Sequence, residues 1–154
     1  ELPFPQADSF ERVINLCELL KQRGFISKDD ITQNYDFDYR QTDYYSNAAR
    51  YLGLIDIVHI NRQVGCTLTQ DGFRVFNLPI VERQLEFVKF ILAHVVFQNT
   101  LKLYFDKGNV PTKDEVVEIM RNAKLYNITS GQTYKRRAST VISWINWILG
   151  LIEQ

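Results

Sequence analysis

The sequence predicts a mainly α-helical chain with one small β-hairpin, which places it in the α+β class. Over most of the 154 residues, apolar side chains recur at every third or fourth position, the spacing of one buried helix face. Residues 54–68 instead combine β-branched side chains with a polar tip, as the two strands of a hairpin do. A hydrophobic fraction of 45% and an aromatic fraction of 13% are typical of a globular chain with a packed core.

Charge and cysteine content limit the function classes. The formal net charge is zero, so no overall basicity indicates a nucleic-acid partner, although residues 1–78 carry 8 basic and 11 acidic side chains and residues 79–154 carry 10 and 7. Two cysteines, Cys17 and Cys66, are too few for a disulfide framework and are expected to be reduced and structural. Neither a signal peptide nor an apolar run of about 18 residues is visible, so we expect a cytoplasmic chain without a membrane partner. The absence of an initiating Met leads us to expect a piece of a longer protein.

Three helices are predicted before the hairpin. The first begins after the N-cap Ser9 and ends at Gly24. The second is short and begins at Ser27, where Ser-Lys-Asp-Asp resembles a capping box. The third occupies residues 39–52 and is closed by Gly53.

The hairpin and a short fourth helix follow. Residues 54–60 and 66–68 are the predicted strands, and the polar tip between them ends in Gly65. Thr69 caps a short helix that ends before Pro79. Helix, helix, helix, strand, hairpin and strand is the order of a winged helix-turn-helix. The step Leu68-Thr69-Gln70-Asp71-Gly72 resembles the LT-x-x-G that follows the wing in many bacterial winged-helix domains.

Pro79 marks a predicted boundary between two units. Residues 1–78 form the first winged-helix domain, and residues 79–154 form a second, winged-helix-like domain whose wing is truncated or absent. Predicted helices in the second unit cover residues 81–97, 100–105, 112–120 and 132–149, with a loop at 127–131 and Gly150 as the final C-cap.

An internal repeat supports the tandem arrangement. The ending Leu52-Gly53-Leu54-Ile55 recurs as Leu149-Gly150-Leu151-Ile152, and the same shift of 97 residues aligns Arg40 with Arg137. We therefore predict two winged helix-turn-helix units in tandem. A single irregular helical domain is the alternative.

Two helices and the hairpin tip carry side chains suited to DNA. Arg, Gln and Asn can form paired hydrogen bonds with base edges, whereas Lys, Tyr, Ser and Thr reach phosphates. Three adjacent cations at the positive end of a helix dipole are slightly unfavourable for the helix, so we expect another reason for their placement. Solvated helix faces are the alternative interpretation. The candidate DNA-binding residues are Tyr39, Arg40, Gln41, Tyr44 and Asn47 on the third helix, Arg62 and Gln63 at the tip, and Tyr134, Lys135, Arg136, Arg137, Ser139 and Thr140 on the last helix.

No catalytic site is predicted. The sequence contains neither a phosphate-cradling Gly-rich loop nor a nucleophile elbow. Glu86 and Lys89 lack the second acid that a nuclease metal site needs. His59 and His94 have no partners at metal-ligand spacing, so we expect neither a metal nor a cofactor, and His94 is expected in the core.

Two segments resemble restriction–modification proteins of bacteria. The first runs from Tyr39-Arg40-Gln41 to Leu52-Gly53-Leu54-Ile55, and the second from Arg136-Arg137-Ala138-Ser139 to Trp144-Ile145-Asn146-Trp147-Ile148. Together they resemble the tandem winged-helix DNA-recognition part of type II restriction endonucleases. The resemblance implies double-stranded DNA as the partner and a nuclease domain elsewhere in the parent chain. By position, it implies that the readers are Arg40, Gln41 and Asn47 in one unit, and Lys135, Arg136 and Arg137 in the other.

Two other functions stay open at the level of sequence. A winged-helix domain that joins protein subunits without binding DNA is favoured by the zero net charge and by Tyr39, Tyr44 and Trp147. A regulator with a small-molecule pocket among the aromatic residues of the second unit is a further alternative. The sequence leaves the oligomeric state and the DNA target undefined.

Overall fold

The structure, a computed structural model, describes residues 2–125, 128 and 130–153. Within these residues the chain forms eight helices and a three-stranded antiparallel sheet, which confirms the prediction of a mainly helical α+β protein. In chain order the elements are α1 (Phe10–Arg23), β1 (Ile26–Ser27), α2 (Lys28–Asn34), α3 (Tyr39–Tyr51), β2 (Ile55–Ile60), β3 (Gln63–Leu68), α4 (Gln70–Phe76), α5 (Ile80–Leu92), α6 (Val95–Lys107), α7 (Lys113–Asn122) and α8 (Gly131–Ile152).

The sheet has the strand order β1-β3-β2, with β3 in the centre. β2 and β3 are joined by a two-residue turn, Asn61 and Arg62, whose φ angles of 52° and 64° are both positive. Two positive φ angles in such a turn match the right-handed twist of the flanking strands. Ile60 therefore pairs directly with Gln63 at the tip of the hairpin.

The prediction that Gly65 ends the hairpin tip is wrong. Gly65 lies inside β3, where β1 pairs with it at Ser27. A Cβ atom on Gly65 would lie 2.4 Å from the carbonyl oxygen of Ile26, closer than real Cβ contacts allow. Glycine is therefore required by the close approach of β1 and not by a turn.

Both ends of α3 are fixed by local hydrogen bonds, as the predicted helix over residues 39–52 requires. The Asp38 carboxylate accepts a hydrogen bond from the Gln41 amide at 2.8 Å, and the Gln41 side chain accepts one from the Asp38 amide at 3.1 Å. At the other end Gly53 has a φ of 78°, and the Leu54 amide donates to the Ala49 carbonyl at 3.0 Å. Because Leu54 is buried, this ending directs the chain into the core before β2 begins.

The predicted end of the last helix at Gly150 is wrong, because α8 continues through this residue to Ile152. The single helix expected over residues 81–97 is also divided, since α5 ends at Leu92 and the backbone of His94 is extended before α6. The piece expected at residues 100–105 belongs to α6. The loop expected at residues 127–131 includes Asn127 and Thr129, which lie outside the described residues.

The two halves of the chain share one hydrophobic core. The ring of Phe10 in α1 packs at 5.2 Å from that of Trp144 in α8 and at 5.8 Å from that of Phe87 in α5. Phe4 stacks on Phe97 at 5.8 Å between ring centroids. The predicted boundary at Pro79 falls at the N-cap of α5, and the division into two domains stays a prediction.

Candidate nucleic-acid interface

An open groove of about 430 Å³ lies between α3, α8 and the segment that precedes α1. We term it the α3–α8 groove. Predicted site residues from both helices meet there, Gln41 and Tyr44 from α3 and Arg136 and Ser139 from α8. The remaining lining residues are Gln6, Ala7, Asp8 and Tyr45.

Residues 7–9, here termed the N-terminal strap, are hydrogen-bonded to α8. The Ala7 amide donates to the Thr140 hydroxyl at 3.0 Å, and that hydroxyl donates to the Asp8 carboxylate at 2.7 Å. The indole N–H of Trp144 donates to the Ala7 carbonyl at 2.8 Å. The strap therefore forms one wall of the groove, and these hydrogen bonds fix the position of the strap on α8.

The same strap is also attached to α3. The Ser9 amide donates a hydrogen bond to the hydroxyl of Tyr45 at 3.0 Å, while the buried Tyr45 ring stacks on Phe37 at 5.1 Å. Tyr45 therefore lies in the core, but it also lines the groove. Because the strap is hydrogen-bonded to both helices, it determines the spacing between the polar faces of α3 and α8.

Three cations lie on the outer faces of these helices. Arg40, Lys135 and Arg136 are exposed, and among the described residues none of them forms an ion pair. Arg136 has a single long contact of 3.5 Å with the Thr133 hydroxyl. These cations are therefore available to an anionic ligand.

Nearby acids are engaged within the protein. Asp38 caps α3, Asp43 forms an ion pair with Lys28 at 2.7 Å, and Asp8 accepts the Thr140 hydroxyl. Only Asp43 is compensated by a cation, whereas the donors to Asp38 and Asp8 are neutral, and Asp8 lines the groove, where its charge opposes an approaching phosphate.

The tip of the β2–β3 hairpin carries the exposed residues Arg62 and Gln63. Arg62 holds a φ of 64°, a conformation that costs an L-residue with a Cβ roughly 1–2 kcal/mol and that Gly or Asn adopts more readily. Turn stability alone would favour Gly at this position. An arginine there presents an exposed charge at the tip of the hairpin.

The predictions of DNA contact for Tyr134 and Thr140 are wrong. Tyr134 is buried, with the Arg121 guanidinium 4.5 Å from its ring centroid, and Thr140 is fully buried under the strap. Arg137 is half-buried and donates to the Phe4 carbonyl, and burial lowers the pKa of its guanidinium. These three side chains hold α8 in place instead of facing outward.

Helix periodicity explains this inward set. Counting back from the buried Trp144 in steps of three and four reaches Thr140, Arg137 and Tyr134, which continue the buried stripe of α8. Lys135, Arg136 and Ser139 fall between these positions and face the groove or solvent. The helical spacing of the buried residues was present in the sequence, but the adjacent basic residues favoured the interpretation of an exposed face.

The remaining predicted residues keep some access to solvent. Tyr39 and Arg40 are exposed at the start of α3, and Asn47 is half-buried two turns further on. Gln41 lines the groove while its side-chain oxygen caps Asp38, which leaves its amide N–H groups for a ligand. The strap residues Ala7 and Asp8 were missed by the sequence reasoning, because their partners lie more than 130 residues away.

In the part of the chain that the structure describes, no group of three or more His, Cys, Asp or Glu side chains is arranged to hold a metal ion. Cys17 and Cys66 are buried and free, and burial raises the pKa of both thiols. In the same residues, no helix has both the length and the apolar character needed to cross a membrane.

A family model described as "Domain of unknown function (DUF7226)" matches residues 12–153, so the chain belongs to this family. The match covers both halves and includes every groove residue contributed by α3 and α8. No curated protein and no solved structure matches the chain.

Proposed function

We propose that this member of the DUF7226 family is a non-catalytic module that binds double-stranded DNA through the α3–α8 groove and the hairpin tip. A winged-helix architecture for the first half is part of the proposal. The order α1, β1, α2, α3, β2, β3 supports it, with α3 as the recognition helix and Asn61-Arg62 as the tip of the wing. The observation that carries the proposal is that polar side chains of α3 and α8 line one groove.

The lining residues have the chemistry of a duplex interface. Arg136 can bind a guanine edge or a phosphate, and the free amide of Gln41 can donate to an acceptor on a base. The hydroxyls of Tyr44 and Ser139 suit phosphate oxygens. Among these residues, Gln41 lies in the first turn of α3, where the helix dipole also favours an anion.

The neutral net charge allows a quantitative prediction of how strongly DNA binding depends on salt concentration. Binding would depend on a few local cations, and the exposed ones on the proposed surface are Arg40, Arg62, Lys135 and Arg136. Each neutralised phosphate contributes about −0.9 to the slope of log K against log salt concentration. Four such contacts correspond to a slope of roughly −3 to −4, which is shallow for a DNA-binding protein.

The first test measures duplex binding to the whole chain by fluorescence anisotropy over a series of salt concentrations. Arg136→Ala should weaken binding and reduce the salt slope by about one unit. The matched control is Lys113→Ala, which removes an exposed cation of α7 that does not line the groove and should leave both quantities unchanged. No binding at about 50 mM salt, or equal losses in both variants, would contradict the proposal.

Selection from a random duplex pool then tests sequence specificity. Enrichment of a short motif would support target recognition of the kind found in restriction endonucleases. Salt-sensitive binding without enrichment would support a general DNA binder and contradict that resemblance. The parent nuclease domain implied by the resemblance stays a prediction.

A protein-interaction domain is the second candidate function. It is favoured by apolar side chains on the outside of α5, where Ile80 and Val81 are 62% and 61% exposed. None of these residues lines the α3–α8 groove, so the two surfaces are separate. Absence of DNA binding in the first test would make this candidate the leading one.

A further inference from the structure

Helix α5 carries an apolar stripe that is partly uncovered. Val81, Leu85, Val88 and Leu92 follow one another at spacings of four, three and four residues, the spacing of a seam between two paired helices. Val81 and Leu85 are 61% and 57% exposed, whereas Phe87 and Ile91 on the other side of α5 are buried. We term these four residues the α5 stripe.

The two ends of the α5 stripe differ in shape. At its N-terminal end, Ile80 and Val81 project from the surface. At its C-terminal end lies an apolar hollow of about 300 Å³ between α5 and α6, lined mainly by Leu92, Leu101 and Phe105. A surface with a projection at one end and a hollow at the other is complementary to itself when a two-fold axis crosses its middle.

The charges beside the stripe select the same orientation. Glu82 and Lys89 are two helical turns apart on one side of α5, and Lys89 remains 76% exposed beside its contact with Glu86. When two α5 helices lie antiparallel about a point between residues 85 and 86, Glu82 of each copy faces Lys89 of the other. In a parallel pair, Glu82 of one copy and Lys89 of the other would lie two helical turns apart along the axis, so neither ion pair would form.

We propose that the α5 stripe binds a second copy of this chain, with the two α5 helices antiparallel across a two-fold axis. Val81 of each copy then enters the hollow lined by Leu92, Leu101 and Phe105 of the other. The stripe and the α3–α8 groove share no residue, so the contact proposed for the dimer does not use the groove. If the groove binds DNA as proposed above, the dimer presents two such sites related by two-fold symmetry, as suits a palindromic duplex.

The test is the mass of the whole chain in solution, measured by light scattering or sedimentation equilibrium over a series of concentrations and without DNA. The wild type should reach twice the monomer mass of 18.1 kDa. Leu85→Glu should give a monomer, because it places a charge in the seam. Ile152→Glu is the matched control, an equal change at a residue of α8 that is 67% exposed, and it should remain dimeric.

A charge exchange tests the orientation. Glu82→Lys alone should weaken the dimer by up to about thirtyfold, because two symmetry-related ion pairs of up to about 1 kcal/mol each are lost. The double variant Glu82→Lys/Lys89→Glu should restore it. Circular dichroism of each variant establishes that it is folded. A wild type that is monomeric at every concentration, including one whose stripe binds a different protein, would overturn the proposal. A dimer that survives Leu85→Glu would overturn it as well, and a failed charge rescue would overturn the antiparallel geometry. Because no DNA is present, these results are independent of the DNA-binding proposal.

Discussion

Helices α3 and α8 align at a shift of 97 residues, with Arg40 matched to Arg137 and Gly53 to Gly150. The aligned residues nevertheless have different structures. α3 ends at Tyr51, two residues before the positive φ angle of Gly53, whereas α8 passes through Gly150 without a positive φ angle. Arg40 is exposed at the start of its helix, while Arg137 is half-buried and hydrogen-bonded to the Phe4 carbonyl.

The difference between α3 and α8 shows that the tertiary surroundings of an aligned residue decide the structure that it adopts. A glycine allows a helix to end, but the ending is stabilised when the apolar residue that follows can enter a core. Leu54 is 1% exposed and does so, whereas its counterpart Leu151 is only partly buried and the next residue, Ile152, is 67% exposed. A four-residue ending therefore does not by itself indicate a duplicated domain.

The largest expected contrast is between Trp144 and Asn47, which the same shift aligns. Trp144 is fully buried and packs on Phe10 and Phe97, so Trp144→Ala should lower the free energy of unfolding by about 3–5 kcal/mol. Asn47 is half-buried, and Asn47→Ala should change it by no more than about 0.5 kcal/mol. Denaturant unfolding measures both, with Trp144→Phe as a milder variant. Similar losses at the two sites would show that α3 and α8 are equivalent after all.

The two glycines should respond to alanine with opposite signs. At Gly53 the φ of 78° strains any residue with a Cβ, so Gly53→Ala should cost about 1–2 kcal/mol. Gly150 lies within a helix, where alanine is favoured by about 0.5–1 kcal/mol, so Gly150→Ala should stabilise the protein. A Cβ would contact nothing within 4 Å at either site, so the comparison isolates the backbone. Thermal melting of the two variants measures it, and a loss at Gly150 would contradict the helical ending of α8.

The smallest expected effect is on the pH dependence of stability. It arises at a contact between α3 and a titratable ring in the second half of the chain. Tyr51 stacks on His94 at 3.9 Å between ring centroids, and burial lowers the pKa of His94, opposed in part by a hydrogen bond with the Tyr51 backbone. Below about pH 6.5 the unfolded chain takes up the proton first, so stability present at neutral pH is lost as the pH falls.

Melting temperatures between about pH 8 and pH 5 should therefore decline less in His94→Phe, which keeps a ring but cannot be protonated. The matched control is His59→Phe on the exposed face of β2, which should retain the decline of the wild type. An identical pH profile for His94→Phe and the wild type would contradict this role of His94.

Local sequence patterns predicted most of the elements. The N-caps Ser9, Ser27 and Thr69 and the glycine ending of α3 all involve partners within a few residues, and all are present. The three errors involve distant partners or their absence. Gly65 is required because β1 approaches it closely, and Gly150 has no core contact that would end α8. His94 separates α5 from α6, and its ring stacks on that of Tyr51.

The candidate site was predicted in part for the same reason. Exposed polar residues of α3 and α8 were identified from residue type, and four of them line the groove. That the two helices meet at all could not be predicted, because it depends on the strap. The inward direction of Arg137 and Thr140 was within reach, since both continue the helical spacing of Trp144.

The strap has a consequence for how the chain folds during synthesis. Its hydrogen bonds join residues separated by 132 to 137 positions, so they contribute strongly to the contact order of the protein. The elements from α1 to α4 leave the ribosome long before α8 does, and until α8 arrives the ring of Phe10 lacks the indole of Trp144 that covers it. Attachment of the strap to α8 is then a late event, and the groove exists only once α8 has been made.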